Sequence, residues 1–135
     1  MTTKAETEEN TVIIVDDDIG ISEIIEVVAH SMGFSVHTAT NAKAFMDIYA
    51  QSNPSIILMD IVMPDMDGIE LLNWLTERNC TVPIVLISGY DGRYLDMASR
   101  VAEVNGANIL GMLTKPFDLS EIEVHLRNVL NSADN

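Results

Sequence analysis

The chain has 135 residues, 47% of them apolar and 21% charged, the mixture of one globular domain with a single core. Seven basic against 21 acidic residues give a net charge of −14, and the few Lys and Arg are scattered, which argues against direct binding of nucleic acid. No apolar run approaches the ~20 residues of a membrane-spanning helix, Met1–Asn10 lacks a signal-peptide pattern, and the lone Cys80 cannot close an internal disulfide or complete a metal set; a cytoplasmic location without membrane contact is the expectation.

Five short apolar runs alternate with five helical patterns. The first run, Val12–Val15, leads into a stripe of Ile21, Ile24, Ile25, Val28 and Met32 at helical spacing, with Asp18 as N-cap and Gly33 as the terminating residue. A weaker run, Phe34–His37, precedes a second helix capped by Asn41, carrying Phe45, Ile48 and Tyr49 and ending before Asn53-Pro54. Ser55–Met59 is followed by a helix over about Ile69 to Arg78, with Ile69, Leu72 and Leu75 inward. Pro83–Ile87 is followed by a helix over about Tyr94 to Asn105, and Ile109–Leu113 by a last helix with Leu119, Ile122, Leu126, Val129 and Leu130 inward. Runs that are apolar throughout suit parallel strands covered on both faces. Five strand–helix repeats predict an α/β fold, a parallel sheet of order 2-1-3-4-5 whose ligand crevice lies at the carboxyl ends of its strands. Residues 1–10 are expected to form a disordered acidic tail, 11–131 the domain, and 132–135 a frayed end.

The strand ends deliver Asp16 and Asp17, then Asp60, then Ser88, then Lys115 to that one edge. Two carboxylates ~4.5 Å apart repel by roughly 3–4 kcal/mol at an effective dielectric of 20. Three of them therefore call for a cation, and an open set of hard oxygens suits Mg²⁺, which keeps waters and accepts phosphate oxygens. Lys115 adds a fixed positive charge and Ser88 a hydroxyl, so the edge can receive a phosphoryl group held on a carboxylate as an acyl phosphate.

Taken together, Val15-Asp16-Asp17, the run Asp60-Ile61-Val62-Met63-Pro64-Asp65-Met66-Asp67-Gly68, Ser88-Gly89 and Lys115-Pro116-Phe117 resemble, in order, the four signatures of bacterial two-component response-regulator receiver domains, over about Thr11 to Leu130. The resemblance implies a flavodoxin-like (βα)5 fold with Asp60 as phospho-acceptor and Asp17, Asp60 and the Val62 carbonyl as direct Mg²⁺ ligands. Asp16 would bind through water, Ser88 would be the switch hydroxyl and Lys115 the phosphate-binding lysine, followed by a cis peptide at Pro116. It further implies a phosphohistidine donor on a histidine kinase or phosphotransfer protein. The readout surface would comprise the fourth helix, fifth strand and fifth helix, including Met112 and Tyr90. The chain would act on a downstream protein target or a missing output domain, as a monomer or a phosphorylation-dependent dimer. On this reading it is not a turnover enzyme and catalyses only its own phosphorylation and dephosphorylation.

Three features depart from the family pattern. Met112 stands where an aromatic switch residue is usual. The interval from Ser88 to Lys115 is long, and Gly106 to Leu113 resembles receivers joined to cyclic-di-GMP phosphodiesterase domains. Val62 and Tyr90 are poorly suited to orient an attacking water, which predicts a long-lived phospho-Asp60. The rival from another class is a Mg²⁺-dependent phosphohydrolase of the haloacid-dehalogenase type, with Asp16 as nucleophile; the chain is short for it, and no acidic pair follows Lys115 at a strand end. A pseudo-receiver, an unmodified interaction module, sits poorly with the intact acids. Asp18 reads as a helix cap. Asp65-Met66-Asp67-Gly68 is no calcium loop, because Met63 and Trp74 occupy its first and last ligand positions. His30, His37 and His125 share no ligand spacing, and Cys80 reads as apolar filler.

Overall fold

The structure, a computed structural model, describes residues 10–63, 68–89, 100 and 106–133. The expected helix at 94–105, Tyr90 and the turn at 64–67 lie outside the described residues, Arg100 excepted. Strands β1 (Thr11–Val15), β2 (Ser35–Ala39), β3 (Ile56–Asp60), β4 (Ile84–Ser88) and β5 (Ile109–Thr114) form one sheet; helices α1 (Ile19–Ser31), α2 (Ala42–Gln51) and α3 (Gly68–Glu77) and a C-terminal helix (Leu119–Ala133) cover it. All four pairings are parallel, in the order β2-β1-β3-β4-β5. That is the expected α/β doubly wound arrangement. Among the described residues no helix is long and apolar enough to cross a membrane.

Strand periodicity divides the core into two layers. Ile13, Val15, Ile57, Met59, Ile84 and Leu86 point to one face, where Phe45 of α2 and Leu71, Leu72 and Leu75 of α3 pack. Val12, Ile14, Ile56, Leu58, Val85 and Ile87 point to the other, against Ile25 and Ala29 of α1 and Ile122 and Leu126 of the C-terminal helix. Every side chain of β3 and β4 is buried, and each large apolar one contributes ~1.5–3 kcal/mol on burial. The outer strand β5 alternates between exposed and covered positions, and its ladder is irregular opposite Ile84 and Val85, where three residues, Ile109 to Gly111, span two.

Local chemistry fixes the element ends. Asp18 and Asn41 each accept a backbone N–H of the helix they cap, from Ile21 at 3.2 Å and Ala44 at 2.8 Å. Helix α1 ends in a Schellman motif: Gly33, at φ 95°, donates to the His30 carbonyl and Phe34 to that of Ala29. Asn79, at φ 57°, ends α3 in the same way, with Cys80 N–H reaching the Leu75 carbonyl at 3.2 Å. Gly68 starts α3 where a Cβ would stand 2.5 Å from Ile61 Cα, and its N–H donates to the Ile61 carbonyl at 2.8 Å. Only glycine closes that loop.

Some inward faces differ from the sequence expectation. On α1 the fully covered residues are Ser22, Ile25 and Ala29, whereas Ile24 is 51% exposed, so the helix is rolled away from its apolar stripe. On α3 Leu71 is buried and Ile69 only half-buried, and Leu119 lies at the exposed edge of the C-terminal helix.

Candidate phosphoryl-transfer and metal site

Asp16 directly follows β1, and its N–H donates to the Ala39 carbonyl of β2 at 3.0 Å. Asp60 is the last residue of β3 and Ser88 the last of β4, one position later on each strand than the sequence runs suggest. Lys115 directly follows β5, and its N–H donates to the Ser88 carbonyl at 2.8 Å, so the parallel ladder itself carries the lysine to the serine's strand end. The Lys115–Pro116 peptide is cis, as the resemblance implied.

Three regions distant in sequence meet there. One carboxylate oxygen from each of Asp16, Asp17 and Asp60 lies within 4.8 Å of the others, with Asp16 and Asp60 buried and Asp17 exposed. Lys115 Nζ lies 3.1 Å from Asp16 Oδ2 and 3.3 Å from Asp60 Oδ2. The other oxygens are held by main chain: Asp18 N–H donates to Asp16 Oδ1 at 2.8 Å, and Val62 N–H to Asp60 Oδ1 at 2.9 Å. Asp16 Oδ2 is buried and accepts no hydrogen bond; its closeness to Lys115 is ionic. Ser88 is 1% exposed, whereas the Val62 side chain points outward at 57% exposure.

The electrostatics follow from burial. Desolvation pushes the Asp16 carboxyl up to about 6, against the lowering effect of the Asp18 N–H; the Asp60 charge raises it further, and Lys115 lowers it. Burial also disfavours the Lys115 ammonium, but hydrogen bonds and charge from Asp16 and Asp60 outweigh it and leave the lysine more basic than usual. At separations under 4.8 Å each pair of charged acids repels by roughly 3–4 kcal/mol at an effective dielectric of 20, and one ammonium cannot offset three carboxylates. Hard anionic oxygens, one without a hydrogen bond and one on the solvent side, fit a small divalent cation such as Mg²⁺.

The sequence profile of the response regulator receiver domain matches residues 12–127. The chain belongs to the response-regulator receiver family. Receivers are phospho-accepting regulatory domains of two-component signalling, which sets aside the phosphohydrolase with Asp16 as nucleophile. The receiver is 31% identical over 122 residues to sporulation initiation phosphotransferase F of Bacillus subtilis, covering 88% of this chain and 92% of that protein. It is 28% identical over 121 residues to the regulatory protein AtoC of Escherichia coli, 90% of this chain but 25% of AtoC. A solved response regulator from Colwellia psychrerythraea superposes with a TM-score of 0.74 at 32% identity, covering 91% of this chain and 98% of that one. The receiver spans about a quarter of the length of the regulatory protein AtoC and about half that of the probable transcriptional regulatory protein TcrX of Mycobacterium tuberculosis.

At this edge the side-chain oxygens of Asp16, Asp17 and Asp60 meet the Lys115 ammonium, with Ser88 at the end of β4 and Val62 just past the end of β3 beside them. The main-chain bond from Asp18 to Asp16 was not anticipated; a cap two residues past a site acid was the available signal.

Proposed function

We propose that this receiver takes a phosphoryl group onto Asp60 from a phosphohistidine on a histidine kinase or phosphotransfer protein. The observation that carries the reading is the meeting of Asp16, Asp17 and Asp60 within 4.8 Å, with Lys115 bridging two of them. Asp16, Asp17, Asp60 and the Val62 carbonyl would hold Mg²⁺, which supplies charge to neutralise the phosphoryl oxygens and the incoming carboxylate.

The protein's own groups divide the remaining work. Val62 N–H fixes Asp60 through Oδ1, leaving Oδ2, the oxygen facing Lys115, to attack phosphorus. As the O–P bond forms, the P–N bond of phosphohistidine breaks, and its electron pair leaves on the imidazole nitrogen, which is protonated by solvent. Lys115 then exchanges one carboxylate partner for a phosphoryl oxygen, and the Ser88 hydroxyl donates to another. Hydrogen bonds to charged groups are worth ~1.5–3 kcal/mol each, enough to bias a two-state surface. That surface is proposed to be the one formed by the fourth helix, β5 and the C-terminal helix, where Met112 is 45% exposed.

Beside the site lies an apolar groove of about 360 Å³ whose lining includes Ile21, Ile24, Phe117 and Leu119, with Asp18 and Lys115 at its polar end. Such a lip suits contact with a protein donor rather than a small metabolite. The unit is proposed to occupy residues 11–131 and to pass its state to a protein target or an output domain, as a regulator rather than a turnover enzyme.

Incubation with a small-molecule acyl phosphate and Mg²⁺, followed by intact-mass analysis, tests the assignment. Wild type should gain one phosphoryl group, and both Asp60→Asn and chelated wild type none. Phosphorylation of Asp60→Asn to the wild-type extent would remove the assignment.

A further inference from the structure

Asp18 performs three bonding tasks at once. Its side chain accepts the Ile21 N–H at 3.2 Å, its carbonyl accepts the Ser22 N–H at 3.2 Å, and its own N–H donates to Asp16 Oδ1 at 2.8 Å. Its backbone, at φ −90° and ψ 102°, is extended, as an N-cap requires. The last bond matters because the Asp16 carboxylate has no exposure and its second oxygen, Oδ2, is buried with no hydrogen bond. One oxygen of Asp16 is therefore held by main chain, and the other has only the ionic contact with Lys115 at 3.1 Å.

Burial does little to hold that N–H in place. Asp17, Asp18 and Gly20 are exposed, and Ile19 is 59% exposed, so the first turn of α1 lacks buried anchorage until the half-buried Ile21 and the buried Ser22. The turn is held to Asp18 by two bonds, the capping bond from Ile21 and the main-chain bond from Ser22, and the first depends on the side chain. Without it the Ile21 N–H loses its protein acceptor, the turn is free to fray, and the donor to Asp16 Oδ1 moves with it. The carboxylate could then rotate out of its present setting, in which Lys115 Nζ lies 3.1 Å from Oδ2 and 3.4 Å from Oδ1.

We propose that Asp18 is a positioning residue for the metal site: by capping α1 it holds its own N–H on Asp16 Oδ1 and so keeps Oδ2 available to a divalent cation. This rests on the reading of Asp16, Asp17 and Asp60 as a Mg²⁺ site. The capping group acts through hydrogen-bond acceptance and not through its charge, which separates this role from a fourth acidic ligand.

The test is Mg²⁺ titration by calorimetry of the full 135-residue chain as wild type, Asp18→Ala, Asp18→Asn and Asp18→Ser. Asn and Ser cap about as well as Asp, and Ala does not. Asp18→Ala should weaken Mg²⁺ by roughly three- to tenfold, and Asp18→Asn and Asp18→Ser should stay within about twofold of wild type. In amide spectra of the metal-free protein, the residue 18 proton should move upfield in Asp18→Ala and hold its position in the Asn and Ser variants. Unchanged affinity in Asp18→Ala would overturn the proposal, and so would an Asn variant as weak as Ala, which would assign the effect to charge. Wild type that binds no Mg²⁺ would instead overturn the underlying metal reading.

Discussion

The imidazole of His125 occupies the space in which a Cβ on Gly111 would stand. A residue of the C-terminal helix thus rests directly on the main chain of the outer strand β5, and a side chain on the strand residue beneath it would have to displace the imidazole. Gly111→Ala should lower stability by ~1–3 kcal/mol through overpacking. His125→Ala in that background should recover most of the loss. A double-mutant cycle in urea measures the coupling, and additive effects would show that the two do not compete for space.

Lys115 is the sole cation within 4 Å of Asp16 and Asp60 among the described residues. Lys115→Ala leaves buried acids without their partner, and removing one member of a buried pair costs ~3–5 kcal/mol at most. Partial protonation of Asp16 softens this, so a loss of about 1–3 kcal/mol is expected in chelator. Millimolar Mg²⁺ should restore more stability to the variant than it adds to wild type. Equal gains in urea melts would contradict the placement of the ion among these acids.

The raised Asp16 carboxyl gives a pH dependence with a definite sign. The folded state binds this proton up to about 6, against 3.8 for the free group, so the associated stability is present below pH ~4 and is lost as pH rises through 6. The interval corresponds to an order of 3 kcal/mol. In chelator, Asp16→Asn should therefore gain on wild type steadily between pH 4 and 7 and hold its advantage above. A constant difference across that range would show that burial does not raise the acid.

The Val62 side chain, 57% exposed and apolar beside Asp60, offers no polar group to an attacking water. Phospho-Asp60 should therefore persist, and Val62→Asn should shorten its lifetime several-fold by adding an amide that can orient one. Decay of the phosphorylated mass in chelator-quenched samples follows both. Equal lifetimes would place the control of hydrolysis elsewhere.

The strand order and the acid edge were readable from sequence because each inner strand is an unbroken apolar run stopped by a polar residue, as in Ile84 to Ser88. The roll of α1 was not, since Ile21, Ile24 and Ile25 fit several rotations equally and only packing against the sheet chooses the one that buries Ser22 and exposes Ile24. The extra residue in β5 was hidden for a similar reason: Ile109 to Leu113 reads as a regular run, and the bulge exists only in its pairing with Ile84 and Val85. The bond from Asp18 to Asp16 is made by an amide common to almost every residue, so residue type alone could not disclose it.

Gly68 would give the proposed phospho-switch a handedness of communication. Because the stretch leaving Asp60 is pinned back onto Ile61 with no spare volume, a rearrangement at the acceptor meets a rivet on the α3 side. On the opposite flank, Ser88 and Lys115 lie at the ends of β4 and β5, and β5 pairs with β4 alone among the described residues. On the proposed reading of Asp60, news of phosphorylation would be routed outward along that one margin, and a bulkier residue at position 68 would blur the direction of the message before it weakened the chemistry that sends it.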